Sequence, residues 1–144
     1  MTDINLKILD AKEIKEERME GLSKIGRKRK EPIKGEKIVV AEKKGEVVGY
    51  ASLINSPRSN EAYIDNIKVK EKERKKGIGK KLEKKIEETA EKNNLKKIRS
   101  DLINPESKKF WKSQGYKTKE KGMTNSINKR IKQEKKKRNQ RKRK

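Results

Sequence analysis

Arg74-Lys75-Lys76-Gly77-Ile78-Gly79-Lys80 follows an apolar run, Ala62 to Val69, and opens a lysine-rich amphipathic stretch. Glycine at 77 and 79 lets backbone N–H groups approach an anion with no Cβ in the way. A helix beginning there points the positive end of its dipole at the same spot. Arg74 and Lys80 add side-chain charge. The run therefore reads as strand, phosphate cradle and helix, against the alternative of a tight strand-to-helix turn with no ligand. Beyond the cradle Ile78, Leu82, Ile86 and Ala90 recur every four residues, one apolar stripe to lay on a sheet.

Working outward, Ile4 to Ile8 alternates apolar and polar residues as a half-buried strand, and Lys12 to Ile25 reads as a helix stopped by Gly26. Arg27 to Gly35 is a basic loop containing Pro32. Lys37 to Ala41 and Val47 to Ile54 are strands joined by Lys43-Lys44-Gly45-Glu46 as a hairpin turn, and Gly49 predicts a bulge or a close backbone approach. Tyr63 to Val69 and Leu95 to Ile103 are further strands. Asn104-Pro105 starts a short helix that Gly115 ends, and a final hairpin runs from Tyr116 to Ile131 across Lys121-Gly122.

A chain of 144 residues has room for one domain with a modest core. Its 28% hydrophobic and 47% charged composition would suit a disordered chain, but the apolar residues gather in periodic runs, which predicts a fold. Cys and His are absent. That excludes thiolate metal sites, a cysteine nucleophile and a histidine base, leaving carboxylates, hydroxyls, amines and backbone for any chemistry; no metal is expected. No secretory h-region or membrane-length apolar run is present, so the expected location is the cytoplasm, off the membrane. The net charge of +23 predicts attraction to polyanions.

Two motifs in order carry a family resemblance. Val69-x4-Arg74-x2-Gly77-Ile78-Gly79-x2-Leu82 resembles the acetyl-coenzyme A signature of the GNAT superfamily of N-acetyltransferases, and Asn104-x2-Ser107-x2-Phe110-Trp111-x3-Gly115-Tyr116 is similar to the family's later motif. The resemblance implies an α/β (mixed α+β) GNAT fold, a mostly antiparallel, splayed sheet of six to seven strands flanked by helices. The resemblance covers a domain over residues 1–131, in a monomer or homodimer, and the charge composition beyond it predicts a basic disordered tail over 132–144.

Acetyl-coenzyme A is the implied cosubstrate, its pantetheine arm lying between the strand ending at Val69 and the strand starting at Leu95. Backbone groups of Ile67 and Val69 are expected on the arm and thioester oxygen, the loop from Arg74 through Lys75, Lys76, Gly77, Ile78 and Gly79 to Lys80 on the diphosphate, and Asn104 and Ser107 on the arm. The implied reaction is direct attack of a primary amine (protein N-terminus, lysine or small molecule) on the thioester.

Asp65 lies where some small-amine members of the family keep a carboxylate. An amine with a pKa of ~10.4 is mostly protonated at neutral pH, so its attack requires a base or water relay. Asp65 is expected either in that role or as a strand carboxylate paired with lysine; Glu61 and Asp101 are weaker candidates. Trp111 stands where many members have a tyrosine that protonates the departing sulfur, and an indole does not surrender its proton. A thiolate with a pKa of ~8.5, by analogy with cysteine, leaves without such help. Tyr116 either substitutes as the acid or packs as a core aromatic.

Asn128 to Lys144 holds eleven Lys or Arg against one acid, Glu134. This end and the Arg27 to Lys30 run suit nonspecific RNA or ribosome association, or solubility alone. A second reading of the whole chain is therefore a GNAT-shaped module, weakly catalytic or non-catalytic, holding nucleic acid by charge. The intact cradle favours the enzyme.

Overall fold

The computed structural model describes residues 4–27, 31, 33–56, 60–101, 107–121 and 124–131. Seven strands form one mixed sheet: β1 (Asn5–Asp10), β2 (Glu36–Lys43), β3 (Glu46–Ser56), β4 (Glu61–Val69), β5 (Lys97–Ser100), β6 (Lys117–Lys121) and β7 (Thr124–Arg130). Their order is β1-β2-β3-β4-β5-β7-β6. Every pairing is antiparallel except β4 with β5. Among the described residues three α-helices complete this α+β architecture: α1 (Glu16–Lys24), α2 (Ile78–Lys92) and α3 (Lys108–Ser113).

Period-2 alternation builds two cores. Val39 and Ala41 of β2 face one side of the sheet, with Ala51, Leu53 and Ile64, and meet the α2 stripe Ile78, Leu82, Ile86 and Ala90. Ile38 and Val40 face the other side, with Tyr50, and take Leu22 of α1. Lys44 and Gly45 both have positive φ and close a two-residue hairpin in which Lys43 pairs Glu46. Val48 is the extra residue of a bulge, and an added Cβ on neighbouring Gly49 would stand 3.2 Å from Ile78 and 3.3 Å from the Lys68 carbonyl. Gly49 is thus what lets α2 approach β3.

Two elements differ from expectation. The helix expected over Lys12 to Ile25 is a 3-10 turn, Ala11–Glu13, an extended pair at Ile14 and Lys15, and then α1. Ala11 is buried directly after β1, so the chain must turn sharply before a helix is possible. The strand expected from Leu95 begins only at Lys97, because Leu95 belongs to the end of α2: Asn94 has φ 58° and Leu95 N–H donates to the Ala90 carbonyl at 2.9 Å. Among the described residues no helix is long and apolar enough to cross a membrane.

On the α2 side the Tyr116 hydroxyl donates to Glu83, whose side chain is 1% exposed. Burial, then the hydrogen bond and charge of Glu87, push the Glu83 carboxyl up to about 8. Burial also works to raise Glu87, but the hydrogen bonds of Glu83 and Lys129 outweigh it and hold Glu87 below the usual range. Folded Glu83 keeps a proton that the unfolded chain releases near 4.5, so the fold loses stability as pH rises from that value to about 8. Glu83→Gln keeps a donor for Glu87 and an acceptor for Tyr116 without this titration. Its Tm is expected to match wild type at about pH 5 and to exceed it by several degrees at about pH 9. An equal difference at both pH values in thermal melts would show that Glu83 is not the titrating buried acid.

Candidate functional site

Strands β4 and β5 pair only over Glu61–Tyr63 and Lys97–Arg99. The last stitch is the Ser100 hydroxyl, which donates to the Ile64 carbonyl at 2.7 Å. From there to Val69, β4 is hydrogen-bonded to β3 on one side, and among the described residues no strand pairs with it on the β5 side. Lys70 N–H is donated to the Val48 carbonyl at 2.8 Å, so Lys70 faces β3. By strand alternation Lys68 does too, and the N–H and C=O of Ile67 and Val69 are aimed at the open side. Arg74 Nε reaches the Val69 carbonyl at 3.1 Å. An unpaired strand edge beside a gap is a template for another extended chain.

The cradle lies at the foot of this edge. Lys75 has φ 65°, and Gly77, the N-cap of α2, has φ 85°. No side chain caps the helix and its first turn carries no acid. The first intrahelical bond of the run is Lys81 N–H to the Gly77 carbonyl at 3.1 Å, leaving the N–H groups of Ile78, Gly79 and Lys80 without helical partners. A Cβ on Gly77 would meet nothing within 4 Å and would project into open space at the cradle mouth. Bare donors, a positive dipole end and the cations Arg74, Lys75 and Lys80 fit a diphosphate. Lys76 is half committed to Glu73 at 3.4 Å, a carboxylate held mainly by Lys43 at 3.0 Å. Gly79 has a packing role as well, since its Cβ would stand 3.4 Å from the Phe110 ring.

Asp65 is the extra residue of a β-bulge: Ser52 pairs Asn66 and Leu53 pairs Ile64, so Asp65 opposes no residue of β3. The bulge falls where β4 leaves β5. It turns Asp65 and Asn66 toward the α1 face, where Asn66 Nδ2 donates to the Tyr50 hydroxyl at 2.9 Å. Burial, helped by the charges of Asp65 and Glu36 against that of Arg27, pushes the Tyr50 phenol up to about 12, so it stays protonated at neutral pH. Beside it Arg27, 5% exposed, makes a two-pronged ion pair with Glu36 at 2.8 and 3.2 Å, which Ser52 and the Ile33 N–H also bind. Burial works to raise Glu36, but Arg27 and these donors hold it below the usual carboxylate range.

The expected site residues divide into four groups. Ile67, Val69, Asp65 and the 74–80 loop come together along the open edge of β4. Asn104 lies outside the described residues, and Ser107 occupies the N-cap position of α3 without capping through its side chain. Trp111 is 2% exposed, packed edge-on between Phe110 and Tyr116 with centroids 5.0 Å apart in each pair, so its indole is a core group. Tyr116 likewise packs in the core. Glu61 is engaged by Lys97 and Arg99 at the stitched end of β4, and Asp101 pairs Arg99 at 3.7 Å.

Arg27, read with Lys28 to Lys30 as a polyanion-seeking run, is instead a buried ion-pair member; residues 28–30 lie outside the described residues. Asn128 to Arg130, counted with the basic end, are strand β7, and Lys129 is committed to Glu87 at 2.8 Å. Tyr50 and Asn66 were not singled out by sequence reasoning; Tyr50 reads as one more apolar strand residue. A cleft of about 820 Å³ adjoins the cradle on the α1 face, walled by α1, the 44–46 turn and the end of β4. It shares Val69 and Arg74 with the expected site but not Gly77, Gly79 or Asp65, so it is an adjoining basin and not the gap itself.

A mixed sheet with a strand-to-helix turn of bare backbone donors beside its central strand is the architecture of an acetyltransferase of one large family. The model of the acetyltransferase (GNAT) family matches residues 8–116, and the chain belongs to that family. Its fold is similar to that of Escherichia coli ElaA, with a TM-score of 0.70 and 18% identity over 88% of this chain and 99% of that one. It is also similar to the ribosomal-protein-S18-alanine N-acetyltransferase of Escherichia coli, with a TM-score of 0.73 and 12% identity over 91% and 96%. A GNAT acetyltransferase of Staphylococcus aureus Mu50 gives 0.70 and 18% over 90% and 100%. No curated protein sequence matches the chain.

Proposed function

We propose that the protein transfers the acetyl group of acetyl-coenzyme A to a primary amine by direct attack, with no covalent enzyme intermediate. The observation that supports this most is the edge of β4 from Asn66 to Val69, which has no strand partner on the β5 side among the described residues and leads to an uncapped, acid-free helix start. The 74–80 loop holds the diphosphate, and the outward polar groups of Ile67 and Val69 bind the arm as an added strand would. A backbone N–H on that edge stabilises the oxyanion formed when the amine nitrogen adds to the thioester carbonyl. Asp65, bulged beside the gap, takes the ammonium proton directly or through water. The C–S bond then breaks to a thiolate that needs no acid from Trp111.

The acceptor is a protein N-terminus, a lysine or a small amine. The S18-alanine acetyltransferase makes N-terminal peptides the first arm of a turnover screen, followed by lysine peptides, polyamines and aminoglycosides. Coenzyme A release with at least one arm is the expected result; no release with any arm, together with no acetyl-coenzyme A binding, overturns the proposal. The cationic end beyond Ile131 is assigned to nonspecific RNA or ribosome association. Deleting Glu134 to Lys144 is expected to leave acetyl-coenzyme A affinity intact while weakening RNA binding and flattening its salt dependence. An unaltered salt slope assigns that end to solubility.

A further inference from the structure

Acetyl transfer makes no use of the outward surfaces of α2 and α3. The inward stripe of α2 is buried, while Lys80, Lys81 and Lys84 on its first turns are exposed. The contact of Phe110 with Gly79 brings α3 against this end of α2, and α3 presents Lys109 and Lys112 to solvent. The nearby acids are committed: Glu83 is buried against Tyr116, Glu87 binds Lys129 at 2.8 Å, and Glu88 binds Lys85 at 3.3 Å. Among the described residues none of Lys81, Lys84, Lys109 and Lys112 makes a close ion pair, although the Lys84 charge acts on Glu87 from farther off.

Lysines at i,i+3 and i,i+4 on one helix repel, so the cluster costs the fold stability. The cradle cations Arg74, Lys75 and Lys80 extend the same surface, making it larger than a diphosphate requires. Of the apolar side chains on these two helices only Phe110 is partly exposed, and it packs against Gly79, which leaves a lipid surface little to insert around and a nucleobase little to stack on.

We infer that the outward faces of α2 and α3 dock the phosphate backbone of a nucleic acid, with Lys81, Lys84, Lys109 and Lys112 neutralising phosphates. This face acts in addition to the cationic end and does not depend on the acetyl-transfer reading. Recognition is by backbone alone, so RNA and DNA strands of one sequence bind alike. The diphosphate cradle opens within the same surface, so bound nucleic acid competes with coenzyme A.

The test uses the full chain carrying Lys81→Gln, Lys84→Gln, Lys109→Gln and Lys112→Gln, with fluorescence anisotropy of labelled single-stranded RNA and DNA twenty-mers across a salt series. The slope of log K against log salt is expected to become shallower by up to about 3, at ~0.7 per phosphate released from a single strand. Acetyl-coenzyme A affinity measured without nucleic acid is expected to stay unchanged, since none of the four residues belongs to the 74–80 loop. Lysine methylation of the wild-type protein, read by mass spectrometry, is expected to be blocked by RNA at these four positions. An unaltered slope with unprotected lysines overturns the assignment, as does equal binding of phosphatidylserine vesicles.

Discussion

Gly77→Glu is expected to abolish coenzyme A binding while leaving the fold intact, the largest effect that a single substitution at this site should have. Gly77 has φ 85°, so any side chain there costs about 1 kcal/mol of backbone strain, but an added Cβ touches nothing. The carboxylate would lie at the uncapped N-terminus of α2, among the N–H groups of Ile78, Gly79 and Lys80, where an acid is favourable to the helix. It therefore acts as a tethered competitor of the diphosphate without unfolding the site. Gly79→Glu should abolish binding too, but there the Cβ stands 3.4 Å from Phe110, so part of its effect is repacking of α2 against α3. Calorimetric titration with coenzyme A, after circular dichroism has verified both variants, is the measurement. Unchanged affinity in both removes the cofactor assignment.

Asp65→Asn is expected to lower turnover by roughly 10²-fold or more near neutral pH, with little change in acetyl-coenzyme A affinity. Asparagine keeps the shape and a polar group in the bulge, so the register of β4 with β3 survives and only the proton acceptor is lost. The deficit should shrink as pH rises toward the amine pKa of ~10.4, because free amine no longer needs a base. The pH–rate profile of the variant, taken with a verified acceptor, decides the matter: full turnover across the range makes Asp65 structural. Tyr50 and Asn66, which share its face, would then be the first groups to examine for a water relay.

The fold was legible wherever the signal was local. The four-residue stripe of α2, the Lys44-Gly45 turn, the glycine that ends α3 and the anion-seeking start of α2 each rest on backbone conformation or period, and neighbours in sequence impose both. The two-motif resemblance added the expectation that β4 parts from β5, which no periodicity in Tyr63 to Val69 reveals.

Tertiary structure alone decided which strand lies beside which and which polar groups are buried together. That β7 enters between β5 and β6 depends on pairing Lys97–Ser100 with Ile127–Arg130, and alternation within either strand allows many partners. The bulge at Asp65 arises from the mismatch of two registers across β3 and β4, so it is invisible in either strand by itself. Arg27 reads as one more surface cation until Glu36, nine residues on, is brought beneath it, and desolvation makes their pairing obligatory. Trp111 belongs to the core because the rings of Phe110 and Tyr116 close around it. Local chemistry in the sequence determined a strand, a glycine-bearing turn and a helix; long-range packing determined that this turn lies at the foot of the part of β4 that has no strand partner on the β5 side among the described residues.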